Sequence, residues 1–165
     1  MKILKSLLPY IIIILVVILI RTFIITPVRV SGDSMHDTLK DGDIMLLKKF
    51  DTSYNRYDIV VFDRNGERLI KRVIGLPGEY IECIDGKIYI NDEEIKDIDT
   101  NLVTSDFNKL YIPENYYYVL GDNRPVSNDS RYFGPVSKND LKGKVIEFVI
   151  FPFSDFGKVK DRVNK

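Results

Sequence analysis

Three polar clusters in this chain have residue types and spacings that can do chemistry. The first surrounds Ser34, in Val30-Ser31-Gly32-Asp33-Ser34-Met35-His36-Asp37-Thr38-Leu39. Small residues beside a serine let another chain's backbone approach closely. The hydroxyl becomes a nucleophile only with a base within hydrogen-bond reach. His36 is the chain's one His, and an extended backbone would point it the same way as Ser34. No acid is identifiable to orient its ring. The second cluster is Leu69-Ile70-Lys71-Arg72-Val73-Ile74. On a strand Leu69, Lys71 and Val73 share one face, and Ile70, Arg72 and Ile74 the other. Either Lys71 or Arg72 then lies among apolar neighbours, whichever face is buried. Desolvation penalises an ammonium, and a lysine neutral near about pH 7–8 can act as a general base. The third runs from Gly121 to Arg131 (Gly-Asp-Asn-Arg-Pro-Val-Ser-Asn-Asp-Ser-Arg), where Asp, Asn, Ser and Arg can satisfy one another's hydrogen bonds. Each cluster also has a plain structural reading: a turn serine, a basic residue snorkelling at a barrel rim, and a surface turn.

Composition removes most rivals to a serine–lysine pair. The chain has 165 residues, one Cys, one His and no Trp. One Cys excludes an internal disulfide framework and a CxxC pair, and one His excludes HExxH and any two-His metal cluster. With 24 basic and 24 acidic side chains, the basic excess of a nucleic-acid wrapper is missing. An EF-hand reading of Asp63-Arg64-Asn65-Gly66-Glu67 lacks the rest of its ligand spacing. Asn128-Asp129-Ser130 matches a glycosylation sequon, a short pattern that recurs by chance. Cys83, alternating with Ile81, reads as a small core residue.

The balanced charge averages two unlike parts. Residues 1–27 carry Lys2, Lys5 and Arg21 and no acid, so the rest holds 21 basic and 24 acidic side chains, a net of −3. Leu7–Ile25 contains a single charge, Arg21. As a helix it would span about 28 Å, close to a bilayer's hydrocarbon core. Arg21 sits near the end, where it can snorkel. Lys2 and Lys5 precede the span, which keeps the N-terminus cytoplasmic by the positive-inside rule; Arg21 and Arg29 weigh against that orientation. A cleaved signal would need a small-x-small site, but Thr-Pro-Val-Arg-Val follows. The aliphatic residues show no polar face, unlike a buried helix of a soluble domain.

After Pro27 the pattern turns to short β-rich runs: Asp43–Lys48, Asp58–Phe62, Arg68–Ile74, Tyr80–Ile84, Lys87–Ile90, Tyr116–Leu120 and Lys144–Phe151. Asn65-Gly66 and Asp85-Gly86 predict hairpins. Leu76-Pro77-Gly78 and Phe133-Gly134-Pro135 predict breaks. Residues 91–108 are acidic and poorly patterned, and read as a surface excursion. The expectation is a mostly β protein: residues 1–26 as cytoplasmic start and transmembrane helix, then residues 27–165 as one extracytoplasmic domain of antiparallel sheets.

In this order, SGDSMHDTL, YDIVVF, LIKRVIGLPGE, YVLGDNRPVSNDSRYFGPV and GKVIEFVIFPF behind an apolar span resemble the type I signal peptidases, the membrane-anchored Ser/Lys leader peptidases. The match covers nearly the whole chain and looks like the compact single-span form common in Gram-positive bacteria. The resemblance implies a β-rich catalytic domain that cuts exported preproteins after small-x-small, Ala-x-Ala-like sites, with no metal or cofactor and no nucleic-acid partner. It implies Ser34 as nucleophile and oxyanion donor through its N–H, Lys71 as base, Ser127 positioning the lysine amine, and Asp129 and Arg131 as an ion pair supporting the site. Substrate would lie extended between the strand leading to Ser34 and the strand carrying Lys71, against Val30, Gly32, Asp33, Met35, Leu69 and Ile70. The bilayer and proximity to the secretion translocase follow as partners. Two departures stand out. Gly32 removes a hydroxyl that some relatives add to the oxyanion hole, and Asp37 replaces the family's usual Pro.

Three rivals remain at this point. A self-cleaving repressor-type protease shares the chemistry but would carry a DNA-binding module. A GDSL-type esterase is evoked by Gly32-Asp33-Ser34-Met35, yet no His follows residue 36. A non-catalytic membrane-anchored β module explains the span and the strands but not the three clusters together.

Overall fold

The computed structural model describes residues 2–36, 38–50, 53–97 and 103–151. Asp37 lies outside them, so its substitution for proline has no structural account. The chain opens with helix α1, Lys2–Phe23. Its segment Ser6–Phe23 has mean hydropathy 2.5 and none of it is buried against the rest of the protein. A helix this apolar and this exposed is long enough to cross a membrane and is not packed as a core helix.

One residue separates α1 from strand β1, Ile25–Arg29. The junction is fastened by hydrogen bonds to the helix's last carbonyls: the Thr26 hydroxyl donates to Arg21 O at 2.8 Å and Lys49 Nζ to Thr22 O at 3.2 Å. These are the carbonyls a helix end leaves unpaired, and a cation there is favourable. β1 is not among the β-rich runs read from the sequence, which begin after Pro27. The strand tolerates it by lying at the sheet's edge, pairing only with β2 (Ile44–Lys48).

The remaining strands are β3 (Ile59–Arg64), β4 (Glu67–Gly75), β5 (Tyr80–Ile84), β6 (Lys87–Ile90), β7 (Glu93–Glu94), β8 (Phe107–Tyr111), β9 (Tyr116–Leu120), β10 (Val136–Ser137) and β11 (Leu141–Phe151). Short helix α2 is Ser130–Phe133. One sheet has the order β1-β2-β11-β3-β4-β9-β10 and the other β7-β6-β5-β8, with every described pair antiparallel. The expected antiparallel β fold behind an apolar helix is what forms. Both predicted hairpins form too. Asn65-Gly66 (φ 51° and 82°) and Asp85-Gly86 (φ 51° and 77°) each place two left-handed residues in a row, the backbone of the primed turns that match strand twist.

Residues 91–97 and 103–108, read as a surface excursion, are mostly exposed, yet they also carry paired backbone. β7 and the start of β8 lie in it, and buried Thr104 anchors it. Residues 98–102 fall outside the described residues. Polar strands such as Phe-Asn-Lys-Leu-Tyr show little alternation, so their pairing was not legible locally.

The two sheets share a core: Ile74, Tyr118 and Leu120 of the first pack with Ile81, Cys83, Ile88 and Ile90 of the second. Cys83 is a core residue as expected, 2% exposed. Burial pushes its thiol up to about 11, aided by Asp106.

Candidate active site

Ser34 rides on a loop that its neighbours plug into the protein. Met35 and Leu39 are buried in the cluster with Val30, Met45, Leu47, Ile59, Val61 and Ile70. Asp41 accepts from Gly32 N at 2.9 Å, and Gly32 has the left-handed φ of 86° that suits a residue without Cβ. Residues 34–36 turn, with His36 N donating to Asp33 O at 3.0 Å. The extended backbone that would align Ser34 with His36 does not form.

Lys71 reaches this loop from the middle of β4, and its Nζ lies 2.6 Å from Ser34 Oγ. Lys71 is 2% exposed and Arg72 7%. The sequence reading put either one or the other among apolar neighbours; the structure buries both. Both faces of β4 are covered: Leu69 and Val73 join one apolar cluster, while Ile70 and Ile74 join two others. Burial pushes the Lys71 amine down to about 8; Asp129 and Asp122 oppose this and Arg131 adds to it. Desolvation wins because neither carboxylate bonds the amine directly, whereas burial removes its water outright.

The Gly121–Arg131 cluster is only partly self-satisfied. Asp129 and Arg131 do form a local bidentate pair, at 2.8 and 2.9 Å. Asp129 also accepts from Gly121 N at 3.1 Å and caps α2. Ser130 is committed to Val119 N at 2.9 Å. The rest reaches far along the chain. Asp122, fully buried, takes both arms of Arg72 at 2.9 and 2.6 Å and the Thr38 hydroxyl at 2.5 Å. Asn123 grips the Ser34 loop, its N donating to Ser34 O and its side chain to Asp33 O, each at 3.0 Å. Arg124, 1% exposed, binds Gly121 O at 2.9 Å, Asp97 at 2.5 and 2.7 Å, and Thr104. Sequence reading missed the roles of Thr38, Arg72, Asp97, Asp122, Asn123 and Arg124. The available signal was the polar density of Gly121–Arg131, but partners 20 to 90 residues away could not be paired from it.

Ser127 is 3% exposed, and its hydroxyl is the one buried side-chain polar atom without a hydrogen bond among the described residues. It makes no bond to Lys71. It packs on Gly121, where a Cβ would sit 2.6 Å from Ser127 Cβ and 2.6 Å from the Ser34 carbonyl oxygen. Backbone oxygen cannot swing aside as a flexible side chain can. Gly121→Ala is therefore expected to lose about 1–3 kcal/mol of stability through overpacking and to displace the Ser34 loop. A denaturant melt beside a cleavage rate checks this; wild-type values for both would mean that the loop has slack.

An open groove of about 700 Å³ runs past the pair, lined in part by Gly32, Asp33, Ser34, Leu69, Lys71 and Asn123. Of the residues expected to contact substrate, Gly32, Asp33 and Leu69 line it. Val30, Met35 and Ile70 are not among its lining residues; they are buried in one apolar cluster.

Comparison with known proteins gives the family of the chain. The family described as signal peptidase, peptidase S26, matches residues 3–150. A signal peptidase I from Bacillus amyloliquefaciens is 33% identical, the match covering 91% of this chain and 89% of that one. Signal peptidase I S of Bacillus subtilis (strain 168) is 34% identical, covering 86% and 85%. A solved signal peptidase I from Enterococcus faecalis V583 superposes with a TM-score of 0.50 at 40% identity, covering 56% of this chain and 96% of that one. The chain belongs to the signal peptidase family, peptidase S26, and is a serine-peptidase hydrolase. Proteins of this class act on exported preproteins and remove their signal peptides.

Proposed function

We propose that the chain cleaves preproteins after small-x-small sites by a Ser34/Lys71 dyad and an acyl-enzyme. The observation that carries this is the 2.6 Å separation of Lys71 Nζ and Ser34 Oγ around a lysine 2% exposed. Neutral Lys71 takes the Ser34 hydroxyl proton as Oγ bonds to the scissile carbonyl carbon. The Ser34 N–H faces the developing oxyanion. Ammonium Lys71 then protonates the leaving amine as the C–N bond breaks, leaving an ester on Ser34. Lys71 next removes a proton from water, whose oxygen attacks that ester, and hydrolysis returns Ser34 to its hydroxyl form. Ser127 has an uncommitted hydroxyl, as suits a group that holds the amine through these steps. Asp129 and Arg131 position the backbone around it.

Sheet register supports an extended substrate. β4 pairs with β3 from Glu67 to Arg72, but with β9 only from Arg72 onward. Among the described residues, 67–71 thus leave an edge that no strand pairs on the β9 side, next to the groove, and β-addition can use its backbone groups. In this reading α1 anchors residues 27–165 outside the cell with the N-terminus in the cytoplasm. Preproteins then arrive in the same bilayer near the translocase, and shared tethering raises their effective concentration.

The test incubates the full chain, in detergent or vesicles, with a preprotein carrying an Ala-x-Ala site and sequences the product's new N-terminus. Cleavage directly after the second Ala is expected; an intact preprotein would defeat the proposal. A pH profile bears on the base. Because the Lys71 amine titrates near 8 and acts unprotonated, kcat/KM should rise through about pH 8 and level off well below the pH of about 10.4 where a free lysine titrates. A profile still climbing at pH 10 would argue against Lys71.

A further inference from the structure

The groove beside Ser34 carries charge that bond cleavage does not use. Glu67, Leu69 and Lys71 all line it, at the alternate positions that share one face of β4. Asp33 lines it from the other side. Nearby cations are engaged elsewhere: the Arg64 guanidinium lies 4.2 Å over the Phe133 ring, and Arg68 pairs with Asp63 at 3.0 Å. Among the described residues neither Glu67 nor Asp33 has an ion-pair partner. Among the described residues, His36 and Lys71, whose amine is pushed down to about 8, are the basic side chains that line the groove, and no Arg does.

Register gives this charge a direction. Ile25 pairs with Lys48, Lys48 with Lys144, Lys144 with Val60 and Val60 with Lys71, one row across the sheet. β1 leaves α1 at Ile25 and, four antiparallel steps later, β4 runs the same way. Glu67 therefore lies on the α1 side of the row, about 13 Å from Lys71 at the rise of a strand. A preprotein's apolar segment precedes its cut and shares the bilayer with α1, so the residues before the cut lie toward Glu67.

We propose that Glu67, assisted by Asp33, selects for a basic residue and against an acidic one about four residues before the cleaved bond. This rests on the dyad reading above. It adds a charge subsite to a groove otherwise read for small side chains, and it works by rejecting the wrong partner as much as by attracting the right one.

The test uses the full chain and peptides that keep Ala-x-Ala while Lys, Gln or Glu is scanned from three to six residues before the cut, with the same scan after it. At low salt the wild type should cleave the Lys peptide roughly fivefold faster in kcat/KM than the Glu peptide at the favoured position, the scale of a partly exposed ion pair. Salt should compress the ratio. Glu67→Gln should bring it near one, Glu67→Lys should invert it, and Asp33→Asn should shrink it. A ratio unchanged in Glu67→Gln, or charge sensitivity confined to positions after the cut, overturns the inference alone. A wild type that cleaves none of the peptides overturns the dyad reading beneath it.

Discussion

Lys71→Met is expected to abolish preprotein cleavage and, at the same time, to stabilise the protein at neutral pH. Removing a general base costs about 10²–10⁴ in rate. Ser34→Ala should match that loss, and the double variant should be no worse, because groups that act as a unit are not additive. The stability gain separates a base from a structural cation. Burial holds the folded-state amine near 8, against 10.5 for the free side chain. Below about pH 8 both states are protonated, and the fold carries the full burden of a buried ammonium, about 3 kcal/mol. Between about 8 and 10.5 only the unfolded chain keeps the proton, so wild-type stability rises with pH. Above that range the burden is gone. Lys71→Met should therefore melt later than wild type at pH 6.5, with the gap closing toward pH 10.5. Denaturant melts at both pH values read this directly. Unchanged or reduced stability at pH 6.5 would mean that Lys71 is paid back by partners, and near-wild-type cleavage would end the dyad assignment.

Asp122→Asn is expected to cause the largest loss of stability. Asp122 is fully buried and meets both arms of Arg72, itself only 9% exposed in its side chain. Breaking a buried pair from one side leaves a charge without compensation, at about 3–5 kcal/mol. For a chain of this size that lowers Tm by about 10 °C. Activity should fall further than the folded fraction explains. Asp122 joins Thr38 of the Ser34 loop to Arg72, the neighbour of Lys71, so it sets the distance between nucleophile and base. A misplacement of about 1 Å can cost about 100-fold. Its charge also raises the Lys71 amine, so the remaining activity should shift to lower pH. Replacing both partners with apolar residues should recover stability but not rate, since buried pairs are often exchangeable for packing. A single variant that melts within about 1 kcal/mol of wild type would show that the pair is not the brace.

Some of the site was legible because the information was local. Ser34 sits among small residues, and the apolar run around Lys71 announces a strand whatever it packs against. The Asp129–Arg131 pair spans two residues, within reach of any turn. The strand through Pro27, by contrast, was not legible, because an edge tolerates a proline that a strand's interior does not. His36 misled because residues 34–36 turn, which depends on Met35 finding a core to enter.

By itself the sequence determined the apolar helix, the hairpins and the identity of the few groups able to act, since hydropathy, turn chemistry and the scarcity of His and Cys are properties of residues in order. Tertiary structure alone decided that β4 is covered on both faces, that Lys71 and Arg72 are both buried, and that one meets Ser34 while the other meets Asp122. The reason is distance along the chain. A lysine's pKa depends on how much water its neighbours exclude, and those neighbours come from β3, from the loop after β1 and from the Gly121–Arg131 segment, brought together only when the sheets close.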